Sequence, residues 1–408
     1  MRKIVFCGAS QRAVVGYARQ LVAEFKGQYG IAGVFDIDQG RMRGFCELLG
    51  LDIPRYGDFG LMLDEVKPDV VFISTMDSTH AGYLAAAMER GVRCVCEKPL
   101  CVNAQQCRDI LKALAANPAA TAVTAHNLRY IAEIRKIKEL VDSGVIGELR
   151  SIAYNEMLDQ RHGKSYFRRW NRRKENSGGL LIHKSSHQFD LFNWLVGSRP
   201  ESVVAQGRLI AYGAKASPFR GKNCHDCEHA AKCPEYVDYR QEELRHNLFY
   251  KYKSADGYVP DLCLFDPEID AEDQATVGIK YENGIGASYS LNAHSAIAGH
   301  NMYIEGATGT IEYISRSDSS GQAPPELFVN TLRVWRMDGV CETVPVERVE
   351  GGHGGADTLI HRDLFGDEGG GKHLATLMDG VQAVLVGAAA NISIATGKAV
   401  DVQALLLD

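Results

Sequence analysis

The sequence predicts an α/β protein in which a doubly wound parallel sheet is followed by a second α/β domain with a large, mostly antiparallel open sheet. Over the first 125 residues, short apolar runs alternate with segments of helical periodicity, which is typical of a parallel sheet covered by helices. Beyond residue 126, strand-like runs follow one another across short turns, which favours antiparallel pairing. We therefore predict two domains, at 1–125 and 126–408.

The strands predicted in the first half are short, and helix-spaced apolar residues separate them. The run 70–74 is apolar up to its final serine, as expected for a strand buried on both faces. Val14, Ala18, Leu21 and Phe25 recur at helical spacing after the first strand. The predicted strands are 3–7, 32–35, 70–74, 93–96 and 122–125.

The second half has fewer helical segments. An amphipathic pattern over 134–141 predicts a helix that Gly144 ends, and an apolar stripe over 374–385 predicts a core helix. Residues 213–265 interrupt the strand pattern and are interpreted as an insertion rich in cysteine. The predicted strands are 150–155, 203–209, 275–281, 287–291, 302–305 and 310–314.

Composition excludes several classes of protein. The 408 residues include 45 Lys and Arg against 51 Asp and Glu, a formal net charge of −6, so no basic face for nucleic acid is expected. No apolar stretch approaches the roughly 20 residues of a membrane span, and no secretory signal pattern opens the chain. Eleven cysteines, mostly isolated in apolar runs, indicate reduced thiols. We expect a cytoplasmic protein.

The first predicted strand leads into the turn Gly8-Ala9-Ser10-Gln11-Arg12-Ala13, and a helix follows. This is a degenerate form of the G-x-G-x-x-G/A turn of the Rossmann fold, with Ser10 in place of the second glycine. A small residue at position 10 still lets backbone N–H groups approach a pyrophosphate at the helix N-terminus. We predict that this turn binds a dinucleotide.

Asp36 ends the second predicted strand. A carboxylate at this point accepts hydrogen bonds from ribose hydroxyls and repels a 2′-phosphate, which favours NAD over NADP. Arg12 or Arg41 could instead bind that phosphate, so NADP stays open as the disfavoured alternative.

Several motifs, taken in order, resemble the glucose–fructose oxidoreductase/inositol dehydrogenase (Gfo/Idh/MocA) family. They extend over nearly the whole chain. The matching segments are Ser74-Thr75-Met76-Asp77-Ser78-Thr79-His80, Glu97-Lys98-Pro99, Asn127 with Arg129 and Tyr130, Gly144-Val145-Ile146-Gly147, Gly178-Gly179-Leu180-Leu181-Ile182-His183 through Asp190, and Ala389-Ala390-Asn391-Ile392-Ser393.

The resemblance implies hydride transfer between a secondary alcohol, usually on a sugar or polyol, and nicotinamide. It also implies a homo-oligomer, a dimer or tetramer, formed through the open sheet. It places Thr75 and His80 along the cofactor, gives Glu97 an orienting role and puts Lys98 at the reacting carbon. It assigns His187 as the base that accepts the hydroxyl proton. Two further residues that the resemblance implies for the substrate are Asn127 and Tyr130.

The chain departs from the family pattern at His183, where many members have an aspartate. His183 and His187 are one helical turn apart on the same face. His183 could hydrogen-bond substrate, pack as a core histidine, or bind a divalent metal with His187 and a further ligand such as Glu156 or His294. Two facing histidines would also suit NAD-assisted glycoside cleavage by oxidation and elimination. A nicotinamide-binding sensor without turnover is the third reading.

Four cysteines in the insertion have the spacing C-x2-C-x5-C-x29-C. A C-x2-C pair directs two thiolates to one point, and two more ligands complete a tetrahedral zinc site. We predict structural zinc, with free thiols, a disulfide or an iron–sulfur cluster as alternatives. The predicted ligands are Cys224, Cys227, Cys233 and Cys263.

Two further segments are polar and outside the predicted core. His353 lies in the glycine-rich run 351–355, where it either contacts sugar hydroxyls or belongs to a surface loop. Arg168, Arg169, Arg172, Arg173 and Lys174 form a basic run. It is either a solvated face or lid, or a region that attracts an acidic sugar.

Overall fold

The computed structural model describes residues 1–317, 324–352, 354–366 and 371–407. The described residues form two sheets, and helices pack against both. The strands are β1 (Arg2–Cys7), β2 (Tyr29–Phe35), β3 (Arg55–Tyr56), β4 (Val70–Ile73), β5 (Arg93–Glu97), β6 (Ala122–Ala125), β7 (Leu149–Asp159), β8 (Pro200–Arg208), β9 (Gln274–Tyr281), β10 (Gly286–Ser295), β11 (Ala298–Gly306), β12 (Gly309–Ser317), β13 (Val329–Arg336), β14 (Cys341–Thr343), β15 (Ala375–Thr376) and β16 (Val400–Asp401).

The α-helices range from single turns to twenty residues. They are α1 (Gln11–Ala13), α2 (Arg19–Glu24), α3 (Gln39–Leu49), α4 (Phe59–Val66), α5 (His80–Glu89), α6 (Ala104–Ala116), α7 (Ala132–Asp142), α8 (Gln160–Phe167), α9 (Lys174–Ser177), α10 (Leu180–His183), α11 (Ser186–Val196), α12 (Glu243–Arg245), α13 (Ala356–Phe365) and α14 (Leu377–Thr396). The π-helical turns Val14–Ala18 and His246–Tyr250 continue α1 and α12.

The first sheet has the strand order β15-β6-β5-β4-β1-β2-β3. Its strands β1 to β6 pair in parallel, and only the short β15, from near the end of the chain, pairs antiparallel. The order changes direction at β1, so the carboxyl ends of β1 and β4 flank a crevice. The predicted doubly wound parallel sheet is therefore confirmed.

The second sheet has nine strands in the order β14-β13-β12-β11-β7-β10-β9-β8-β16. Every pair is antiparallel except β7 with β10. Side chains along β9 alternate between buried and exposed, because one face packs on helices while the other is open. The predicted large, mostly antiparallel open sheet is confirmed.

Helix α14 packs against β8 and α11. A capping box between Thr376 and Asp379 begins it, and Gly397 ends it in the left-handed conformation. By length and composition alone it could cross a membrane, but 67% of its most apolar stretch is buried inside the protein. This burial agrees with the predicted core helix.

The cysteine-rich segment lies between β8 and β9, and it reaches back to the first sheet. The π-helical turn His246–Tyr250 packs on α3, where a Cβ on Gly44 would lie 2.1 Å from the Asn247 carbonyl oxygen. Lys251 pairs with Glu47 at 2.6 Å. The insertion therefore connects the two halves of the molecule beside the crevice of the first sheet.

A buried ion pair joins the turn after β6 to helix α11. Arg129 Nε and Nη2 donate to the two carboxylate oxygens of Asp190 at 2.7 and 2.6 Å. Both side chains are at most 3% exposed. Arg129 Nη2 also lies 3.6 Å from the more exposed Asp379. The pair with Asp190 is costly to break, because without Asp190 the buried guanidinium keeps only this longer contact.

We predict that Asp190→Ala lowers the free energy of unfolding by about 3–5 kcal/mol, measured by denaturant titration. Asp64→Ala is the control, because its pair with Arg90 lies on the surface and such pairs contribute little. Equal effects of the two substitutions would contradict a special role for the buried pair.

Candidate active site

A cavity of 650 Å³ lies at the crevice of the first sheet and extends to helices α8, α10 and α11 of the second half. Its wall contains Ser10, Asp36, Glu97, Lys98 and His187. Ligands of open α/β sheets bind at the carboxyl ends of the strands where strand order reverses. The predicted dinucleotide turn and the predicted catalytic side chains thus face one space.

The shape of the turn after β1 lets a ligand approach its backbone closely. Gly8 has φ +101°, and a Cβ there would lie 2.8 Å from the Ser74 carbonyl oxygen. Ser10 Oγ accepts from the Ala13 N–H at 3.1 Å and begins the following helix. Gln11 and Arg12 line the cavity at the same helix terminus. This cradle fits a dinucleotide pyrophosphate.

Asp36 is buried at the end of β2 and holds the strand end to the glycine turn. Its Oδ2 accepts from the Ala9 N–H at 2.9 Å, and its Oδ1 accepts from Arg41 Nη2 at 2.9 Å. Arg41 also donates to Asp256 of the insertion at 2.7 Å. Because a carboxylate has about four acceptor positions, Oδ2 keeps capacity for a ribose hydroxyl. Two carboxylates around one guanidinium leave this end of the cavity negative.

Arg12 is held by carboxylates as well. Its Nε donates to Glu97 at 2.7 Å, and Nη2 is 3.3 Å from Asp357. Burial alone would raise the pKa of Glu97, but Arg12, Lys98 and Tyr17 together outweigh burial and the pKa is lowered. Glu97 is therefore ionised and orients Arg12, in keeping with the orienting role that the resemblance implies.

Lys98 follows β5 and crosses to the second half of the chain. Its Nζ donates to the carbonyl oxygen of His183 at 2.8 Å. Burial in the cavity wall lowers its pKa from 10.5 to about 8, although the nearby carboxylates Asp77 and Glu97 oppose that effect. An amine with this pKa exchanges a proton readily near neutral pH.

His183 is engaged by protein groups on both ring nitrogens. Nδ1 donates to Asp77 Oδ2 at 2.5 Å, and Nε2 accepts from the Asn171 side-chain amide at 3.0 Å. Burial and then the Lys98 charge lower the pKa of His183 well below its usual value, so the ring is neutral. Both ring nitrogens thus have protein partners within hydrogen-bond distance, and a contact of His183 with substrate or metal stays a prediction.

His187 lies one turn further along, half-buried in the cavity wall. Its ring packs edge-on against His126 with centroids 5.6 Å apart. Lys184, on the same stretch, pairs with the buried Glu156 at 2.7 Å. The structure thus brings His187 and Lys98 to one cavity, as the sequence predicted.

The segment between β4 and α5 is tied to the loop after β5. His80 Nδ1 is 2.9 Å from the Pro99 carbonyl oxygen, and Nε2 is 3.2 Å from that of Thr75. Thr75 and His80 both line the cavity. His80 therefore holds the two loops together, which places Lys98 and Thr75 along the same wall.

The predicted substrate residues lie in different places in the structure. Asn127 lines the cavity, and its amide donates to Asp357 at 3.2 Å. Tyr130 is not part of the cavity wall; its hydroxyl donates to Asp363 at 2.7 Å, so its predicted contact with substrate is not supported by its position. His353 lies outside the described residues.

Sequence reasoning missed Asp77, Asn171 and Asp256 as site residues. Asp77 lies inside the motif at 74–80, so its carboxylate could be read from the sequence. Nothing in the sequence indicated that this carboxylate contacts His183. Asn171 and Asp256 lie in segments without a motif. Only their position in the folded chain identifies them.

The four insertion cysteines line one small cavity of 10 Å³. Arg168 Nη1 lies 3.3 Å from Cys224 Sγ, where its positive charge opposes a bound cation. Among the described residues, no group of three or more His, Cys, Asp or Glu side chains is arranged to hold a metal ion. The predicted zinc site is therefore not supported, and all eleven cysteines are free thiols.

Two family models match the chain and together cover most of it. Residues 2–125 match the NAD-binding Rossmann fold of an oxidoreductase family, the Gfo/Idh/MocA family, and residues 138–402 match the C-terminal alpha/beta domain of the same family. These matches agree with the two sheets and with the cradle at Gly8.

Two curated relatives are named as an oxidoreductase and an inositol dehydrogenase. The oxidoreductase YteT of Bacillus subtilis (strain 168) is 34% identical over 383 residues, 90% of this chain and 89% of the relative. The inositol 2-dehydrogenase/D-chiro-inositol 3-dehydrogenase of Lactiplantibacillus plantarum is 28% identical over 169 residues, 41% of this chain and 45% of the relative.

Among solved structures, a levoglucosan dehydrogenase in complex with NADH and L-sorbose has a TM-score of 0.69 at 18% identity, covering 98% of this chain and 99% of that one. An Agrobacterium radiobacter oxidoreductase in complex with NAD+, L-tartaric acid and magnesium has a TM-score of 0.67 at 16% identity, covering 99% of each chain. At these identities the likeness shows the fold.

We predict that one lysine titrates near pH 8 and is protonated below that value, because burial lowers the pKa of Lys98. The measurement is the NMR shift of ¹³Cε-labelled lysines against pH. Lys98→Met should remove that signal. Lys184 is the internal comparison, because Glu156 outweighs burial and raises its pKa. A Lys98 signal that moves only near pH 10 would contradict the prediction.

Proposed function

The chain belongs to the Gfo/Idh/MocA oxidoreductase family, and we propose that it is an NAD-dependent dehydrogenase of a sugar, glycoside or polyol. The reaction is hydride transfer between a secondary hydroxyl and nicotinamide. The observation that supports it most is Lys98, whose amine has a pKa of about 8 in the cavity that also contains the cradle at Gly8 and Ser10. The named activities of the inositol dehydrogenase and levoglucosan dehydrogenase relatives support the substrate class.

The proposal assigns a part to the cofactor and to three residues of the cavity. NAD, when bound, supplies the hydride acceptor. His187 accepts the hydroxyl proton, and Lys98 donates to the substrate oxygen and stabilises its developing charge. His183 is a positioning residue, since its carbonyl oxygen accepts from Lys98 and Asp77 fixes its ring.

The preference for NAD follows from the charges around Asp36. Arg41 is held between Asp36 and Asp256, and Arg12 between Glu97 and Asp357. Both arginines are thus engaged by carboxylates, which supports NAD over NADP as the cofactor.

We propose that the protein assembles as a homo-oligomer through the open face of the second sheet. Val204 and Tyr303 are exposed large apolar side chains on that sheet. Both line one shallow depression across its strands, and an exposed apolar face of this kind favours association. The free thiols support a reducing compartment, the cytoplasm.

The function is tested with a panel of sugars, glycosides and polyols, following NADH absorbance and product mass together. Net NADH with a keto product is expected. Lys98→Met should lower turnover by about 10²- to 10⁴-fold with NAD binding retained, whereas Lys136→Met, on the surface of α7, should match the wild type. Product release without net NADH would indicate oxidation and elimination instead, and NAD binding without turnover would indicate a sensor.

A second prediction concerns the cofactor. Asp256→Asn should release Arg41 toward a 2′-phosphate and raise the NADPH to NADH affinity ratio by roughly tenfold, about 1.4 kcal/mol, in fluorescence titrations. Asp238→Asn is the control, since its carboxylate pairs with Arg240 on the surface. An unchanged ratio in Asp256→Asn would show that Asp256 does not restrain Arg41.

A further inference from the structure

The basic run at the edge of the cavity is mostly neutralised by neighbouring carboxylates. Four of its five members form ion pairs within 4 Å, so each of them has a carboxylate as a structural partner. The pairs are Arg168 with Glu235 (3.7 Å), Arg172 with Asp266 (2.6 Å), Arg173 with Glu268 (3.0 Å) and Lys174 with Glu272 (2.5 Å).

Arg169 is the exception. Its Nε donates to the Ser165 carbonyl oxygen at 2.8 Å, and its guanidinium lies over the Tyr166 ring, 5.7 Å from the centroid. Among the residues that the structure describes, no carboxylate lies within ion-pair distance of it. It is half-buried and lines the cavity. The two Nη groups of Arg169 are therefore available to a ligand.

The Arg169 charge acts on the reacting centre. It contributes to the lowered pKa of His183, which places it near the ring that Asp77 and Asn171 hold. Tyr166 and Trp170, beside it, pack edge-on to that ring at 5.5 and 5.6 Å. Arg169 thus belongs to the part of the cavity wall that contains His183, Tyr166 and Trp170.

The other arginines of the cavity, and Lys184, are neutralised. Arg12 and Arg41 are each held between two carboxylates, and Lys184 pairs with Glu156. Lys98 is committed to the His183 carbonyl oxygen and to the reaction. The Arg169 charge opposes the raising of the Asp77 pKa by burial, but the Asp77 carboxyl is hydrogen-bonded to His183 and forms no ion pair with Arg169. A neutral substrate would therefore leave the Arg169 Nη groups partly desolvated without a hydrogen-bonded partner, which is unfavourable.

We propose that the substrate is an acidic carbohydrate and that Arg169 binds its carboxylate. The inference rests on the proposed function and adds its substrate class. Guanidinium and carboxylate match in geometry, and two parallel N–H···O bonds from the Nη groups fix the orientation of the sugar. Arg169 is a binding residue that selects for charge, whereas Lys98 and His187 act at the reacting hydroxyl.

The test compares uronates with their uncharged hexoses, namely D-glucuronate with D-glucose and D-galacturonate with D-galactose. Equilibrium binding to the NADH-loaded protein is measured by calorimetry, and kcat/KM is measured in parallel with NAD. For the acid of at least one pair we expect binding tighter by roughly 10- to 100-fold, the range for a hydrogen bond to a charged group. The advantage should shrink as salt is added.

The variants are Arg169→Gln, Arg169→Lys and, as a matched control from the same run, Arg173→Gln. In Arg169→Gln the acid should lose roughly 10- to 100-fold more affinity than the hexose. Arg169→Lys should restore part of this difference, and Arg173→Gln should leave it as in the wild type. Thermal melting and NADH titration verify that each variant is folded and binds cofactor.

The outcomes separate the two proposals. Turnover of hexoses with no preference for either uronate, or equal losses of both ligands in Arg169→Gln, overturns the acidic substrate and leaves the dehydrogenase standing. Selective, Arg169-dependent binding of a uronate without nicotinamide reduction supports the carboxylate site and overturns the proposed reaction. Absence of binding by every uronate overturns the inference.

Discussion

The hydrogen bond from Lys98 Nζ to the carbonyl oxygen of His183 is the contact on which the site depends. It joins the end of β5 in the first sheet to α10 in the second half, so neither half forms the centre alone. Enclosure between them lowers the pKa of Lys98 to about 8. Asp77, from the first half, fixes the His183 ring in the same way. The position of the Lys98 amine and its lowered pKa therefore have the same cause, because the two halves of the chain enclose the amine between them.

Charge in the cavity is arranged unevenly along its length. Beside Asp36, the carboxylates of Asp36 and Asp256 surround Arg41 and leave a negative balance. Beside His183, Arg169 has no carboxylate within ion-pair distance among the described residues, and burial lowers the pKa of Lys98. Such a gradient orients an asymmetric pair of ligands, because each end attracts one sign of charge and repels the other. The insertion contributes to this gradient through Asp256.

Much of the fold was predictable because the spacing of apolar residues can be read from a single sequence. The runs at β1 and β4 are apolar over four or more residues, as buried parallel strands must be, and Asp36 follows its strand where a dinucleotide fold places a carboxylate. The parallel pairing of β7 with β10 was not predictable, because strand partners distant in sequence leave no local pattern. The zinc prediction is not supported for a similar reason: the spacing among the cysteines does not reveal that Arg168 lies beside Cys224.

The sequence by itself determined the two sheets and the dinucleotide turn at Gly8, since each depends on local pattern or motif, and its resemblance to a family singled out Lys98 and His187. Only the tertiary structure decided that His183 is held by Asp77 and Asn171, that Tyr130 lies away from the cavity, and that Arg169 alone in its basic run lacks an ion pair among the described residues. Hydrogen bonds and ion pairs act over a few ångströms in space, and residues that meet at that range here are up to 345 positions apart in the chain.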